Sequence, residues 1–281
     1  MKVLFRRINA RLQSRWRQST WRGRALPELI VIGAMKSGTS SVYSYLGQHP
    51  QLLAAYREEV HYFDGGLEPE RDSYCLGEAW YRGWFPLRRN MAPDQKAFEV
   101  TPLYLFNPLV PQRIARMLPD VKLVAVLRDP KERAISHYFH EVRKNRERRP
   151  MLEAIQAEEQ DLAPIIARQD FKHSTFIHQS YKRRGVYFEQ LTRFLQHFSR
   201  EQLLVINSER LFAEPSRVLK RIFRFVGVDA TVSIGDLSPR NVARNRSSVP
   251  ASVYDYLREY FRKPNEALYE LLGEDFGWQN S

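Results

Sequence analysis

Four consecutive apolar residues, Leu29-Ile30-Val31-Ile32, run straight into the turn Gly33-Ala34-Met35-Lys36-Ser37-Gly38, and helical text resumes at about Ser40. A strand that is apolar at every position is buried on both faces, which marks a parallel strand in a layered α/β sheet. A glycine-bearing turn from such a strand into a helix also points backbone N–H groups at one spot, the geometry that holds phosphate. This segment sets the fold class and suggests an anionic ligand.

The alternation continues down the chain. Further strands are predicted near 52–55, 97–100, 123–127 and 203–206, and helices over 108–118, 181–198, 215–226, 251–261 and 265–272. Asp129-Pro130-Lys131-Glu132 opens another helix, with an N-cap, a proline at the first position and a capping-box acid. Strands alternating with helices predict one three-layer, P-loop-like α/β domain over residues 27–281, its central sheet mainly parallel and flanked by helices. No repeat or low-complexity linker interrupts it.

Charge separates that body from what precedes it. The chain of 281 residues carries 44 Lys+Arg against 32 Asp+Glu, a net charge of +12. Eight of the cations and none of the acids fall in residues 1–25, so the rest is nearly balanced and a nucleic-acid-binding body is not expected. In this tail, assigned to residues 1–26, Leu4, Ile8, Leu12 and Trp16 recur every fourth residue, one face of a helix. That face suits an anionic membrane surface, a partner, a transit peptide or a solvated helix. It lacks the apolar run of a secretory signal, and no stretch approaches the roughly 18 apolar residues of a membrane span. One cysteine, Cys75, excludes an internal disulfide and a cysteine-based zinc site, and favours a reducing compartment.

Gly33 and Gly38 have the spacing of the phosphate-loop pattern G-x-x-x-x-G-K-[ST], but Thr39 stands where its lysine belongs and Lys36 lies inside the loop. The next strand ends at Leu127, which places Arg128 where ligands gather, at the carboxyl end of a parallel strand. Ser136, two turns into the following helix, is placed to share a phosphate with it. A nucleoside triphosphatase would favour an acid there to hold Mg²⁺. An arginine points instead to a ligand bound by protein cations, with no metal.

Together, KSGTSS after LIVIG, the segment EVHYFD, VLRDPKERAISHYFHE after a strand and the closing PNEALYELLGEDFGW resemble the sulfotransferases that use 3′-phosphoadenosine 5′-phosphosulfate (PAPS). The likeness is to the heparan sulfate N- and 3-O-sulfotransferase branch and its bacterial relatives, over roughly residues 27 to 278. The resemblance implies that Lys36, Ser37, Gly38, Thr39 and Ser40 grip the phosphosulfate, Lys36 neutralising the leaving phosphate oxygen. It implies that Arg128 and Ser136 clamp the 3′-phosphate. It also places Arg244 and Arg246, in the loop Ala243-Arg244-Asn245-Arg246-Ser247, as the basic loop that closes over the cofactor.

On the acceptor side, the resemblance makes Glu59 the catalytic base that takes the proton from an acceptor hydroxyl or amine, with His61 as its rival and Asp64 as an orienting or substrate-contacting group. A sugar hydroxyl is a weak nucleophile and must lose its proton during attack, which agrees with a carboxylate base. Glu99-Val100-Thr101-Pro102 departs from the family's E-K-T-P, because Val100 stands where a lysine belongs. A carbohydrate acceptor is favoured, with a lipid or small metabolite as alternatives. The missing disulfide and membrane anchor of the animal enzymes suggest a cytoplasmic bacterial protein, in peripheral contact with the membrane if residues 1–24 bind one. Two other functions are open from the residues: an ATP-dependent P-loop kinase, and a silent protein that binds an anionic glycan or membrane.

Overall fold

The apolar runs become five strands: β1 (Leu29–Gly33), β2 (Leu52–Ala54), β3 (Lys96–Val100), β4 (Lys122–Leu127) and β5 (Leu203–Asn207). They form one parallel sheet in the order β2-β3-β1-β4-β5. This computed structural model describes residues 13–241 and 249–278. β1 is central and buried throughout, as its unbroken apolar run predicts. Ile30 and Ile32 face a core shared with Ile114, Leu191, Phe194 and Leu268, from the helices Val110–Met117, Tyr187–Leu195 and Ala251–Leu272. Leu29 and Val31 face the opposite core, with Val42 and Tyr45 of helix Thr39–Leu46 and Ile222 and Phe223 of helix Pro215–Val226. The chain moves from one side of β1 to the other between β3 and β4, so a crevice opens where β1 and β4 end.

Two of the expected helices differ in extent. The stretch 181–198 holds only a 3₁₀ turn, Arg183–Gly185, and the helix Tyr187–Leu195. The buried Glu158 carboxylate captures the amides of Lys182 and Arg183, and a Cβ on Gly185 would come within 2.8 Å of Phe261 and Pro130. The helices at 251–261 and 265–272 are one element, Ala251–Leu272, with Pro264 inside it. Leu257, Phe261, Asn265 and Leu268 form one continuous buried stripe, which offsets the hydrogen bond that the proline removes. The helix Met151–Ala167 escaped the pattern because its buried stripe includes a charged residue, Glu158.

Residues 1–12, with Leu4, Ile8 and Leu12 of the expected amphipathic face, lie outside the described residues. Residues 13–19 are helical, and the segment after them is pinned to the body by Arg24, which is 1 % exposed. Its Nη1 donates to the Phe85 carbonyl at 2.7 Å and its Nε to the Arg17 carbonyl at 2.9 Å, while Arg82 Nη2 donates to the Arg24 carbonyl at 2.5 Å. Replacing Arg24 by alanine strands a buried carbonyl, a loss of about 1–3 kcal/mol. At roughly 2–4 °C per kcal/mol for a domain near this size, the melting temperature should fall by several degrees in calorimetry. An unchanged melting temperature would show that this segment does not contribute to the fold.

Candidate active site

The phosphate-loop geometry follows from two close approaches. At the end of β1, a Cβ on Gly33 would lie 2.6 Å from Leu105 Cβ, so only glycine lets the chain after β3 pass. Gly38 has φ 91° and caps the helix Thr39–Leu46, and a Cβ there would strike the Phe212 ring at 2.6 Å. No side chain caps this helix end, and its first N–H groups have no partner within the helix. The end opens on a cavity of about 1480 Å³ lined by Met35, Lys36, Ser37, Gly38, Thr39 and Ser40, a donor set suited to a phosphate group. Neighbouring groups steady the loop from outside: Ser208 Oγ donates to the Ser37 carbonyl at 2.9 Å, and Asn241 Nδ2 to Ser40 Oγ at 3.1 Å.

Arg128 and Ser136 line the same cavity, as the sequence predicts. Arg128 Nη1 donates to the Lys36 carbonyl at 3.3 Å and Nη2 to Glu132 Oε2 at 3.3 Å, which ties the end of β4 to the loop after β1. Burial, then the charges of Arg143 and Arg128, pushes the Lys36 ammonium below its ordinary value. Cations crowd this wall, so an anion entering it would relieve their repulsion.

Glu59 and His61 also line the cavity, and both have positive φ, 57° and 55°. His61 Nε2 lies 3.2 Å from Glu59 Oε2 and its Nδ1 lies 2.6 Å from Asp64 Oδ2. Burial opposes a charge on the ring, but the Asp64 and Glu59 carboxylates outweigh it and hold His61 up to about 9. The two acids differ in access: the Glu59 side chain is 42 % exposed and that of Asp64 is 0 % exposed. Asp64 Oδ1 also accepts the Gly66 amide at 2.9 Å, and Asp64 does not line the cavity. Val100 packs in the core shared with Val31 and Val42, so the position adds no charge to the cavity. Arg244 and Arg246 lie outside the described residues.

Residues 26–263 match the family described as the sulfotransferase domain. The chain belongs to the sulfotransferase family. It is 28 % identical to the membrane-associated sulfotransferase kil1 of Dictyostelium discoideum, over 91 % of this chain and 67 % of that protein. With human heparan sulfate glucosamine 3-O-sulfotransferase 3B1 it shares 30 % identity, over 90 % of this chain and 65 % of the relative. The chain thus spans about two thirds of the length of those relatives. A crystal structure of a sulfotransferase from Alicyclobacillus acidocaldarius superposes with a TM-score of 0.75 at 27 % identity, covering 92 % of this chain and 100 % of that one.

One wall of this sulfotransferase cavity is read from the sequence only at Ser136. Glu132, Ser136, His140 and Arg143 follow one another at helical spacing along Pro130–Arg143 and all line it. Arg146, in the basic run that follows this helix, belongs to the lining too. Glu141 is buried, and its Oε2 pairs with Arg146 Nη1 at 3.3 Å. Burial and the nearby cations hold His140 and His178 down to about 4, so both are neutral at physiological pH. Arg184 is buried against Met35 and the carbonyls of Phe176 and Ile177, and burial with Arg133 pushes it down to about 9. The four-residue spacing from Glu132 to Ser136 to His140 was a legible signal; the fold of the following turn was not.

His61 makes a prediction with a sign. A group raised from 6.5 to about 9 contributes stability that is complete below its unfolded value and is lost as pH rises through its folded one. The stability advantage of wild type over His61→Gln, from urea unfolding at a series of pH values, should be level below pH of about 6.5 and fall away by about 9. A flat difference across that range would show an uncharged ring.

Proposed function

We propose that the protein transfers the sulfuryl group of PAPS to a hydroxyl of a carbohydrate, with Glu59 as the base. The observation that supports this reading is one cavity lined both by Lys36, Arg128 and Ser136 and by the half-exposed Glu59 carboxylate, which rests on His61 at 3.2 Å. The carbohydrate acceptor rests on the relatives named for heparan sulfate glucosamine.

The donor supplies a sulfuryl group already activated on phosphate. Lys36 and the open helix end at Gly38–Ser40 would neutralise the phosphate oxygen that carries the electrons away when its bond to sulfur breaks. Arg128 and Ser136 would seat the 3′-phosphate, and Arg244 and Arg246 are proposed to close over the donor. As the acceptor oxygen bonds to sulfur, Glu59 takes its proton. A ring held charged has no lone pair to accept that proton, which favours Glu59 over His61 as the base. His61 instead fixes the carboxylate by its 3.2 Å hydrogen bond, and Asp64 fixes His61.

The setting is part of the proposal. Cys75, exposed and unpaired, suits a reducing, cytoplasmic compartment. The eight cations before residue 26 suit peripheral attachment to anionic lipid, and one relative is named as membrane-associated. No helix among the described residues is long and apolar enough to cross a membrane.

Two measurements test the reading. Without Mg²⁺, 3′-phosphoadenosine 5′-phosphate should raise the melting temperature far more than ADP, following RT ln(1+[L]/Kd), or about 2.7 kcal/mol at a hundredfold excess over Kd. Equal shifts would remove the 3′-phosphate seat, and stabilisation by Mg²⁺-ATP alone would favour a kinase. In single-turnover transfer to a saccharide acceptor, Glu59→Gln should lower the rate by ~10²–10⁴ and leave calorimetric binding of the bisphosphate intact. Lys36→Ala should weaken both, and His61→Ala should cost less than Glu59→Gln. Normal turnover in Glu59→Gln with none in His61→Ala would transfer the role of base to the histidine.

A further inference from the structure

Glu99, on β3, is fully buried and does not line the cavity. Its Oε1 accepts from Tyr81 Oη at 2.5 Å and its Oε2 from Thr101 Oγ1 at 3.0 Å. Tyr104 Oη stands 3.5 Å from one oxygen and 3.4 Å from the other. The same hydroxyl accepts the backbone amides of Tyr62 at 2.9 Å and Phe63 at 3.3 Å. A phenol that accepts two amides keeps its own proton to donate, and the Glu99 carboxyl is within reach to take it. Tyr62 and Phe63 are the two residues between His61 and Asp64. A chain of hydrogen bonds therefore runs from a buried carboxyl, through one phenol, to the backbone that sets the spacing of the histidine and its acid.

That backbone needs holding. Glu59 and His61 are both in the left-handed region, which side chains other than glycine seldom adopt, and Gly65 and Gly66 follow at φ 81° and 84°. The carboxyl that holds it is costly: among the described residues no cation lies within ion-pair distance of Glu99, and its phenol partners Tyr81 and Tyr104 pack in an aromatic cluster with Tyr62, Phe63 and Phe85. Burial pushes it up to about 7 against the hydrogen bonds of Tyr81 and Thr101, with Asp64 and His61 as its other charged neighbours. Aromatic packing would be satisfied by an apolar residue here. The hydrogen-bond chain to the loop would not.

We propose that Glu99 is a positioning residue for sulfuryl transfer: through Tyr104 it fixes the backbone between His61 and Asp64, and with it the imidazole on which Glu59 rests. The proposal builds on the assignment of Glu59 as the base.

The test uses Glu99→Gln and Tyr104→Phe in the full chain. The first keeps the volume of the side chain, and the second removes the relay and leaves the carboxyl in place. Each should lower kcat by about tenfold to a hundredfold through misplacement of the reacting groups. Bisphosphate affinity should stay within about twofold, and the double variant should lose no more than the worse single one, because the two act in one chain. A readout independent of the acceptor is the NMR titration of the His61 ring, assigned with His61→Gln. Its midpoint, near 9 in the wild type, should move down by about one pH unit in both variants as the pairing with Asp64 loosens. Variants that melt earlier but keep kcat and the His61 midpoint would make Glu99 a packing residue and overturn the proposal. If Glu99→Gln does not fold, Tyr104→Phe decides alone: an unmoved His61 titration in it overturns the proposal. A moved His61 midpoint in a protein whose Glu59→Gln variant turns over normally would support the Glu99–His61 link while removing Glu59 as the base.

Discussion

Every functional group at the site hangs from the pairing of β1 with its two neighbours. Ladder hydrogen bonds continue past the strand ends: Thr101 N donates to Val31 O at 3.0 Å, Leu105 N to Ile32 O at 2.8 Å, and Ala34 N to Val126 O at 2.7 Å. Glu59 N then donates to Val100 O at 3.0 Å, which brings the proposed base to the end of β3. The Lys36 loop, the segment after Glu99, Glu59 and Arg128 thus all leave one row of strand ends. A slip of one residue along a strand moves a loop by about 3.3 Å and turns its side chains to the other face. The apolar pattern that keeps β1 buried on both faces is what keeps the register, and so the site, in place.

Charge is distributed across this frame to suit an anion with more than one charge. Lys36 is depressed by burial and by Arg143 and Arg128, while Glu141 and Glu59 act in the opposite sense. Arg128 is held by Glu132 and by the Lys36 carbonyl rather than left to swing. Donors fixed before the ligand arrives need no reorganisation when charge develops, and in a half-enclosed cavity each is stronger than in water.

The parts of this arrangement that were legible in the sequence are those governed by local chemistry. An unbroken apolar run gave β1, the Asp129-Pro130 start gave the helix after Arg128, and Asp129 does accept the Lys131 amide at 2.9 Å. The helix at 181–198 is cut short by a distant partner, Glu158, which no local window contains. At 251–272 the stripe is local, and Pro264 within it is what divides the sequence pattern in two. The same holds for the site. Lys36, Glu59, His61, Arg128 and Ser136 stand in recognisable motifs and meet at one cavity. Arg184 is placed by tertiary packing, and from sequence alone it is one charged residue in a helical stretch. Glu141 closes the segment VLRDPKERAISHYFHE, but its burial beside Arg146 is not legible there.

The three acids near His61 show how burial sorts identical chemistry into different roles. Asp64 is sealed and bonded to both the ring and the Gly66 amide, so it supplies charge to His61 and has no path to a substrate. Glu99 is sealed deeper, in an aromatic core, and burial brings it toward neutrality at physiological pH, which limits the negative charge gathered under one imidazole. Glu59 alone of the three lines the cavity, and the ring that holds it is charged by the other carboxylate as much as by its own. On the proposed assignment, the base is the carboxylate that the fold leaves open to the cavity, and the other two are buried around the ring on which it rests.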